Sequence, residues 1–209
     1  MGANWTQLPT AATARNEVAL TIDDGPDPDI TPKVLDLLAH HGVQASFFCI
    51  GEKALRYPEL CREIVRRGHA VENHTQHHRH NFSLLGMGGI RRELQAAQDT
   101  FSAITGQRPV FFRAPAGLRN PFLDPVLKHL GLQLVSWSVR AFDTRLGSET
   151  QVRDKLLRGL RPGAILLLHD GHAARTSTGE AVILAVLPAL FEAATLARLR
   201  FVTLRHALL

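Results

Sequence analysis

The chain of 209 residues has the composition of an ordinary single-domain globular protein, with 45% hydrophobic and 21% charged residues. Its formal net charge is +5, but the densest basic clusters lie beside Glu63 and Glu93 on predicted helices, so we predict a solvated surface and no nucleic-acid partner. No apolar run approaches the roughly 20 residues of a membrane-spanning helix, so we also predict no membrane span.

The N-terminal residues show no export signal, because no charged segment there is followed by an apolar one. We therefore expect a cytoplasmic protein if the sequence is complete, and a secreted or cell-envelope protein if an export segment has been removed. The two cysteines, Cys49 and Cys61, lack CxxC spacing and define neither a zinc ribbon nor a disulfide framework. The sequence leaves the oligomeric state open.

Short apolar runs alternate with segments of helical periodicity along the whole chain. The runs predict seven buried strands, at Val18–Ile22, Ala45–Ile50, His69–Glu72, Val110–Arg113, Leu132–Trp137, Ala164–Leu168 and Arg200–Leu204. The other segments predict helices from Thr31 to just before Gly42 and over Pro58–Arg67, Ile90–Ile104, Pro121–Leu130, Gln151–Leu160 and Ala181–Leu196. Such alternation predicts an α/β fold with parallel strands. We favour a closed or nearly closed barrel over an open doubly wound sheet, because no Gly-x-Gly-x-x-Gly follows the first strand.

Two adjacent carboxylates end the first strand. Asp23 and Asp24 follow Ile22 directly, and Gly25-Pro26 then forces a turn. An Asx turn would account for one acid, but two neighbouring acids destabilise each other's charge unless a cation intervenes. Chemistry in α/β barrels collects where strands end at the C-terminal face. We therefore interpret the pair as one metal ligand and one free base.

The third strand ends in a histidine cluster, ENHTQHHRH, at residues 72–80. On one helical turn His74 and His78 would share a face with their Cβ atoms about 5–6 Å apart, which suits two imidazoles that bind one divalent ion. A solvated polar run would have the same composition, so the cluster alone does not decide between the two. We interpret His77 and His80 as solvated residues or as neighbours of the site.

The later strands also end in polar groups. Arg113 ends the fourth strand, where a buried arginine needs a carboxylate partner. Small residues after it, in the stretch RAPAG, would let backbone amides approach a ligand. The fifth and sixth strands deliver Trp137, Asp143 and, on one face by the period of two, Ile165, Leu167 and His169. Five polar strand ends together predict a functional site at one end of a barrel.

In combination, these groups resemble the five motifs of the polysaccharide deacetylases, carbohydrate esterase family four. The resemblance runs in the family's order from residue 17 to about residue 205. Its motifs are Thr21-Ile22-Asp23-Asp24-Gly25-Pro26, His74-Thr75-Gln76-His77-His78, Arg113-Ala114-Pro115-Ala116-Gly117, Asp143 from the fourth motif, and Ile165, Leu167 and His169 from the fifth.

The resemblance implies a distorted (β/α) barrel of about seven parallel strands. It implies that residues 17–209 form a polysaccharide-deacetylase-like catalytic domain, with residues 1–16 as an N-terminal extension. It also implies that Asp24, His74 and His78 hold a divalent metal. Zinc is the first choice, with cobalt, manganese and nickel as alternatives.

Catalytic roles follow from the same resemblance. It implies that Asp23 is the base that deprotonates a metal-activated water, and that His169 protonates the departing amine. Arg113 would orient Asp23 and keep it anionic. Asp143 would raise the pKa of His169 so that this imidazole carries a proton when it is needed.

Substrate contacts are implied in the same way. The backbone N–H of Ala116 would share the oxyanion with the metal. Ile165 and Leu167 would form a slot for the acetyl methyl, and Trp137 would also contact substrate. Three departures from the family pattern predict a more open cleft: alanine at 116 in place of an aromatic residue, Arg140 in place of the fourth motif's first acid, and Thr144 in place of its tryptophan. We hypothesise that Arg140 favours an anionic group, with structural pairing of Arg140 as the alternative.

The predicted function is the metal-dependent removal of acetyl groups from N-acetylated amino sugars of a polysaccharide or oligosaccharide, so the predicted partner is an acetylated carbohydrate. Three alternatives remain open. The chain could be an O-acetyl esterase that acts on xylan-like esters, because the same apparatus hydrolyses esters. It could be a deacetylase of small N-acetyl compounds, or a non-catalytic sugar-binding protein.

Overall fold

The computed structural model describes residues 4–209 and shows an α/β fold. The strands are β1 Glu17–Asp23, β2 Ala45–Cys49, β3 Ala70–Asn73, β4 Phe111–Phe112, β5 Gln133–Leu134, β6 Val139–Arg140, β7 Ile165–His169 and β8 Arg200–Phe201. The helices are α1 Thr10–Ala14, α2 Thr31–His40, α3 Gly51–Arg56, α4 Pro58–Arg66, α5 Met87–Thr105, α6 Leu123–Leu130, α7 Glu149–Gly159 and α8 Val182–Leu196. No helix in this part of the chain combines the length and hydrophobicity that a bilayer crossing requires.

The strands form one curled parallel sheet. They are hydrogen-bonded in the order β5-β4-β3-β2-β1-β7-β6, and β8 pairs with the first two residues of β1. Within residues 4–209 this ladder ends at β5 on one side and at β6 on the other, so the barrel is not closed between them. The predicted distorted (β/α) barrel is therefore confirmed, and each of the seven predicted strands occurs. β6 was not predicted, because two residues offer no periodic pattern.

Both faces of the sheet are buried, which explains why the strands are apolar throughout. Alternate residues of β1 and β7, such as Leu20 and Leu166, pack outward against the helices in the largest apolar cluster. Their neighbours Ala19 and Ile165 point into the barrel, where they pack with Phe48 and other interior side chains. The period of two therefore assigns each strand residue either to the helix layer or to the interior.

The N-terminal segment packs against the barrel. Trp5 donates a backbone hydrogen bond to Leu134 at 3.0 Å and accepts one from Ser136 at 2.7 Å. Leu8 and Ala12 are buried in the interior cluster. The division of the chain into an extension at 1–16 and a catalytic domain at 17–209 stays a prediction, and residues 1–3 lie outside the described part.

One buried histidine makes the stability of the fold depend on pH. His69 lies just before β3 and is 6% exposed, and its Nδ1 accepts a hydrogen bond from the backbone N–H of Ala45 at 3.2 Å. Burial lowers the pKa of this imidazole to about 4, and the charge of Arg67 acts in the same direction. The unfolded chain binds this proton near pH 6.5, whereas the folded protein does not. The stability that neutral His69 contributes is therefore complete above pH 6.5 and is lost as the pH falls toward 4.

We expect His69 alone to lower the free energy of unfolding by up to about 3 kcal/mol between pH 6.5 and pH 4. His69→Gln keeps a hydrogen-bond acceptor but does not titrate, so its stability should fall less steeply over this range. Denaturant unfolding at pH 7, 6, 5 and 4 measures the difference. His40→Gln, which removes an exposed imidazole, should keep the wild-type slope. Equal slopes for wild type and His69→Gln would contradict the prediction.

Candidate metal centre and active site

Asp23, at the end of β1, is held in the barrel interior by a buried arginine. Nη1 of Arg113 donates to Oδ1 of Asp23 at 2.7 Å and to Oγ1 of Thr21 at 2.8 Å. Nη2 of the same arginine donates to the carbonyl of Ser136 at 2.8 Å, and the Phe48 ring centroid lies 4.2 Å from the guanidinium carbon. The buried arginine thus has a carboxylate partner, and that carboxylate has one fixed orientation.

Three ligand atoms converge beside this pair. Asp24, His74 and His78 each bring one ligand atom within 4.8 Å of the other two. Nε2 of each imidazole lies 3.3 Å from Oδ1 of Asp24. That oxygen is buried and has no hydrogen-bond partner among the described residues. A carboxylate oxygen without a donor, facing two imidazole nitrogens, fits a divalent cation, and two histidines with one carboxylate are typical of catalytic zinc sites.

The two histidines meet in a loop, so the helical-turn geometry sketched from the sequence is wrong. Residues 74–80 are irregular, and Thr75 and His78 have φ values of 70° and 48°. Oγ1 of Thr75 accepts a hydrogen bond from the backbone N–H of His78 at 2.9 Å. Nδ1 of His74 lies 2.9 Å from the carbonyl of Arg113, which accepts its proton and leaves Nε2 free to bind a metal.

The charges at this centre suit a cation. Burial opposes the charge on Asp24, but His172 and His74 lower its pKa below the ordinary value. Burial would lower the pKa of His74, but Asp23 and Asp24 raise it. Burial and the charge of His74 lower the pKa of His78 to about 4. Asp24 is therefore ionised and His78 neutral at pH 7, and a bound cation would compete with a proton on His74.

A second charged pair lies across the mouth of the barrel. The two oxygens of Asp143 accept from the backbone N–H of His169 at 2.7 Å and from its Nδ1 at 2.9 Å. Burial alone would lower the pKa of His169, but the hydrogen bond and charge of Asp143, together with Asp23 and Asp24, raise it to about 9. His169 therefore carries a proton at pH 7. In the parallel register of β1 and β7, Asp23 stands directly opposite His169.

These groups surround one cavity of about 470 Å³. Its walls include Leu167 and Trp137, and its polar lining includes Asp23, Asp24 and His169. This volume lies within the range of about 300–1,000 Å³ that is usual for ligand sites. The interior of the barrel thus presents an apolar wall next to Asp23, His169 and a candidate metal site.

The loop after β4 approaches this cavity through two residues in left-handed conformations. Ala116 has φ 53° and Gly117 has φ 72°, and both line the cavity. A Cβ atom added at Gly117 would lie 2.7 Å from the Trp137 ring, so only glycine lets this loop pack against the indole. The turn therefore sets the position of the backbone at 116.

Comparison with known proteins identifies the family of this chain. The sequence profile of the polysaccharide deacetylases matches residues 10–135 of this chain. The chain belongs to the polysaccharide deacetylase family. The chitooligosaccharide deacetylase of Sinorhizobium fredii is 38% identical over 165 residues, which are 78% of this chain and 76% of that protein. The peptidoglycan-N-acetylglucosamine deacetylase of Bacillus cereus is 34% identical over 157 residues, which are 74% of this chain but only 56% of that relative.

A solved structure shows the same fold over nearly the whole chain. The peptidoglycan N-acetylglucosamine deacetylase Bc1960, in complex with 4-naphthalen-1-yl-N-oxidanyl-benzamide, superposes with a TM-score of 0.85 at 28% sequence identity. The match covers 96% of this polysaccharide deacetylase and 90% of that chain. The resemblance recognised in the sequence motifs is therefore confirmed at the level of family and fold.

Not every residue assigned to this polysaccharide deacetylase site reaches the cavity. Leu167 lines it, but Ile165 does not, because it lies two residues further down β7 and is fully buried in the interior cluster. His77 and His80 do line the cavity. The Nδ1 of His77 is 2.9 Å from a carboxylate oxygen of Glu93, so this imidazole is hydrogen-bonded to a side chain of α5.

Two residues that contact Asp24 were missed in the sequence. Nδ1 of His172 lies 3.8 Å from Oδ2 of Asp24, and Nζ of Lys53 donates to the Asp24 carbonyl at 2.7 Å. The stretch HDGH places His172 only three residues after the end of β7, which was an available signal. Lys53 offered no such signal, because it lies on α3, a helix of six residues that periodicity did not predict.

Proposed function

We propose that this polysaccharide deacetylase is a metal-dependent hydrolase that removes acetyl groups from N-acetylated amino sugars of a polysaccharide or oligosaccharide. The observation that carries the proposal is the unpartnered Oδ1 of Asp24 between His74 and His78, at the same cavity as Asp23 and His169. The names of the relatives, chitooligosaccharide and peptidoglycan-N-acetylglucosamine deacetylases, support this substrate class.

In this proposal Asp24, His74 and His78 hold the divalent ion, for which zinc is our first choice and cobalt, manganese and nickel are alternatives. When bound, such an ion supplies a Lewis acid that polarises the acyl oxygen and makes a water molecule more acidic. Nδ1 of His74 is already engaged by the carbonyl of Arg113, so its Nε2 would be the atom that binds the ion. Oγ1 of Thr75 fixes the loop that presents His78.

Two protons move in the proposed reaction. Asp23 accepts a proton from the attacking water; its Oδ1 is bound to Arg113, and its Oδ2 lies 3.8 Å from Nε2 of His74, on the metal side. As the oxygen of water bonds to the acyl carbon and the C–N bond breaks, His169 donates the proton on its Nε2 to the departing amine. Asp143 binds Nδ1 of this imidazole and keeps it protonated. The products are acetate and a free amine.

Substrate contacts complete the proposal. The backbone N–H of Ala116, in the left-handed turn after β4, would donate to the oxyanion, as backbone amides do at acyl-transfer sites. Leu167 forms an apolar surface for the acetyl methyl, and Trp137 flanks the sugar. Ile165 has only an indirect part in this arrangement, because it packs below the cavity.

Acetate release from a panel of substrates tests the function. The panel contains chitooligosaccharides, peptidoglycan, acetylxylan and small N-acetyl compounds, and each is assayed after metal removal and after addition of zinc or cobalt. We expect metal-dependent release that is fastest from an N-acetylated glycan. Fastest release from acetylxylan would identify an O-acetyl esterase, and fastest release from a small amide would identify a small-molecule deacetylase. Metal binding without release from any substrate would contradict the proposed enzyme and favour a sugar-binding protein.

Removing one ligand tests the metal site by itself. His78→Gln should weaken zinc binding by more than about 100-fold, because even a residue that only supports a metal ligand contributes about 10–100-fold. Competition against a chromophoric chelator measures this affinity without any turnover. The matched control is His129→Gln, which removes an exposed imidazole on α6. Equal zinc affinity in His78→Gln and wild type would contradict the assignment.

A further inference from the structure

An arginine stands at the wall of the cavity, where the sequence departs from the family pattern. Arg140 is the second residue of β6 and pairs in register with Leu167, the residue proposed to contact the acetyl group. It is partly buried and lines the cavity. Its guanidinium carbon lies 5.3 Å from the ring centroid of Trp137 and 5.0 Å from that of Phe142. Two aromatic rings therefore hold this cation at the cavity wall, beside Leu167.

Arg140 lacks the partners that a buried arginine normally has. Its Nε is buried without a hydrogen-bond partner, and no carboxylate in residues 4–209 forms an ion pair with it. By contrast, the fully buried Arg113 is satisfied by Asp23, Thr21 and two backbone carbonyls. An aromatic ring is a much weaker acceptor than an oxygen atom, and a buried charged donor without an oxygen acceptor is costly. An ion pair with an acidic side chain, the structural alternative considered for Arg140, is therefore absent from the described part of the chain.

The backbone next to Arg140 is held in an unusual conformation. Phe142 has φ 61°, a left-handed value that is a genuine outlier for a bulky residue. This turn directs Asp143 inward to His169 and leaves the Phe142 ring 40% exposed against Arg140. Nζ of Lys155 lies 5.4 Å from the same ring centroid. Strained residues of this kind cluster at ligand sites, and here the strain places two cations around one exposed ring.

The charge balance of the cavity also favours an anion. In the proposed function, Asp24 is neutralised by the metal and Asp23 by Arg113. The remaining acid at the wall is Glu52, against three basic side chains that line the same cavity: Lys53, Arg56 and Arg140. Within the described residues, the outer part of the cavity is therefore net positive before its histidines are counted. Such a cleft concentrates anionic ligands.

We propose that Arg140 binds a carboxylate on the acetylated glycan, close to the acetyl group, and that the enzyme prefers acidic over neutral glycans. The proposal rests on the proposed function, because it concerns the substrate of that same cavity. A planar carboxylate satisfies the Nε–H and one Nη–H of a guanidinium together, which supplies the acceptor that Arg140 lacks. Arg140 acts here as a specificity residue, and the proton transfers remain with Asp23 and His169.

The test compares each glycan with its own amide. One pair has the carboxylate on the acetylated sugar (oligosaccharides that contain N-acetylmuramic acid), and the other has it on the neighbouring sugar (alternating N-acetylglucosamine and glucuronic acid). In each pair the second member has every carboxylate converted to a primary amide. For wild type we expect kcat/KM to be about tenfold or more higher for the acid form of at least one pair, mainly through KM. Arg140→Gln should bring that ratio close to one.

Two further variants separate recognition from packing. Arg140→Lys keeps the charge but not the planar fork, so its acid-to-amide ratio should lie between those of wild type and Arg140→Gln. Arg145→Gln removes the charge of an exposed arginine five residues away and should keep the wild-type ratio. A wild-type ratio near one for both pairs, or an unchanged ratio in Arg140→Gln, would overturn the proposal.

Calorimetry keeps this test independent of turnover. The deacetylated products, in acid and amide forms, are titrated into metal-loaded wild type and Arg140→Gln. Tighter binding of an acid form by wild type, lost in Arg140→Gln, supports the proposal even if no acetate is released from any substrate. In that case the proposed enzyme activity is contradicted, while carboxylate binding by Arg140 is supported. If acetate is released but wild type binds the acid and amide forms equally, the opposite conclusion follows. The proposed enzyme activity is then supported, and the proposed role of Arg140 is contradicted.

Discussion

Replacing Asp23 by asparagine should lower kcat for deacetylation by about 10²–10⁴-fold, the usual contribution of a positioned general base. The amide oxygen can still accept from Nη1 of Arg113, now 2.7 Å from Oδ1, so the interior stays hydrogen-bonded. An amide cannot accept the proton of the attacking water, so the loss should appear in kcat rather than in KM. Steady-state acetate release, with saturating metal, measures both parameters.

Two controls show whether such a loss is chemical. Asp29→Asn makes the same change on an exposed residue of the following loop and should keep wild-type kcat. Zinc affinity of Asp23→Asn should stay close to wild type, because the metal ligands are Asp24, His74 and His78 in our proposal. Its melting temperature should fall, because the buried Arg113 loses its charged partner. A variant that binds zinc normally and still turns over at the wild-type rate would remove Asp23 from the mechanism.

Asp143→Asn should lower kcat/KM by about 10²–10⁴-fold and move the alkaline limb of its pH profile to lower pH. In the folded protein the pKa of His169 is about 9: burial lowers it, and Asp143 provides the largest opposing effect. His169 must carry a proton to act as the acid, so wild-type activity should persist up to about pH 9 and fall above it. Without the carboxylate, burial dominates, and the imidazole loses its proton at lower pH.

The geometry adds to this electrostatic effect. Both oxygens of Asp143 accept hydrogen bonds from His169, whereas an asparagine presents one oxygen and one NH₂ group to the same two donors. The profile of kcat/KM from pH 5 to 10 gives the pH at which activity falls on the alkaline side. The matched control is Asp154→Asn, on the outer surface of α7. An alkaline limb at the same pH in Asp143→Asn and wild type would show that His169 is not the titrating acid.

Strand ends were predictable, because their signals are local. Ile22, Asp23 and Asp24 mark the end of β1 by an abrupt change from apolar to acidic residues, followed by Gly-Pro. The period of two then assigned Leu167 and His169 to one face, and both line the cavity. The same period could not tell how deep the cavity reaches along β7, which depends on the packing of other strands.

The loops were not predictable to the same degree. His74 and His78 meet because Thr75 and His78 adopt positive φ, which non-glycine residues adopt only when tertiary contacts stabilise it. The pattern therefore indicated the two candidate ligands but suggested a helical turn that does not exist. The missing partner of Arg140 is likewise a long-range property, since it depends on which side chains the folded barrel places nearby.

The parallel register of β1 and β7 sets Asp23 opposite His169 through the backbone hydrogen-bond ladder that joins the two strands. The spacing between the proposed base and the proposed acid is thus a property of the sheet, while the loops around the mouth supply most of the other cavity walls. Insertions, deletions and exchanges in those loops can alter which glycan enters without changing that spacing. A slip of one residue in either strand, however, would turn Asp23 or His169 toward the helices. Changes at the rim can therefore alter the substrate in our proposal, provided that β1 and β7 stay unchanged.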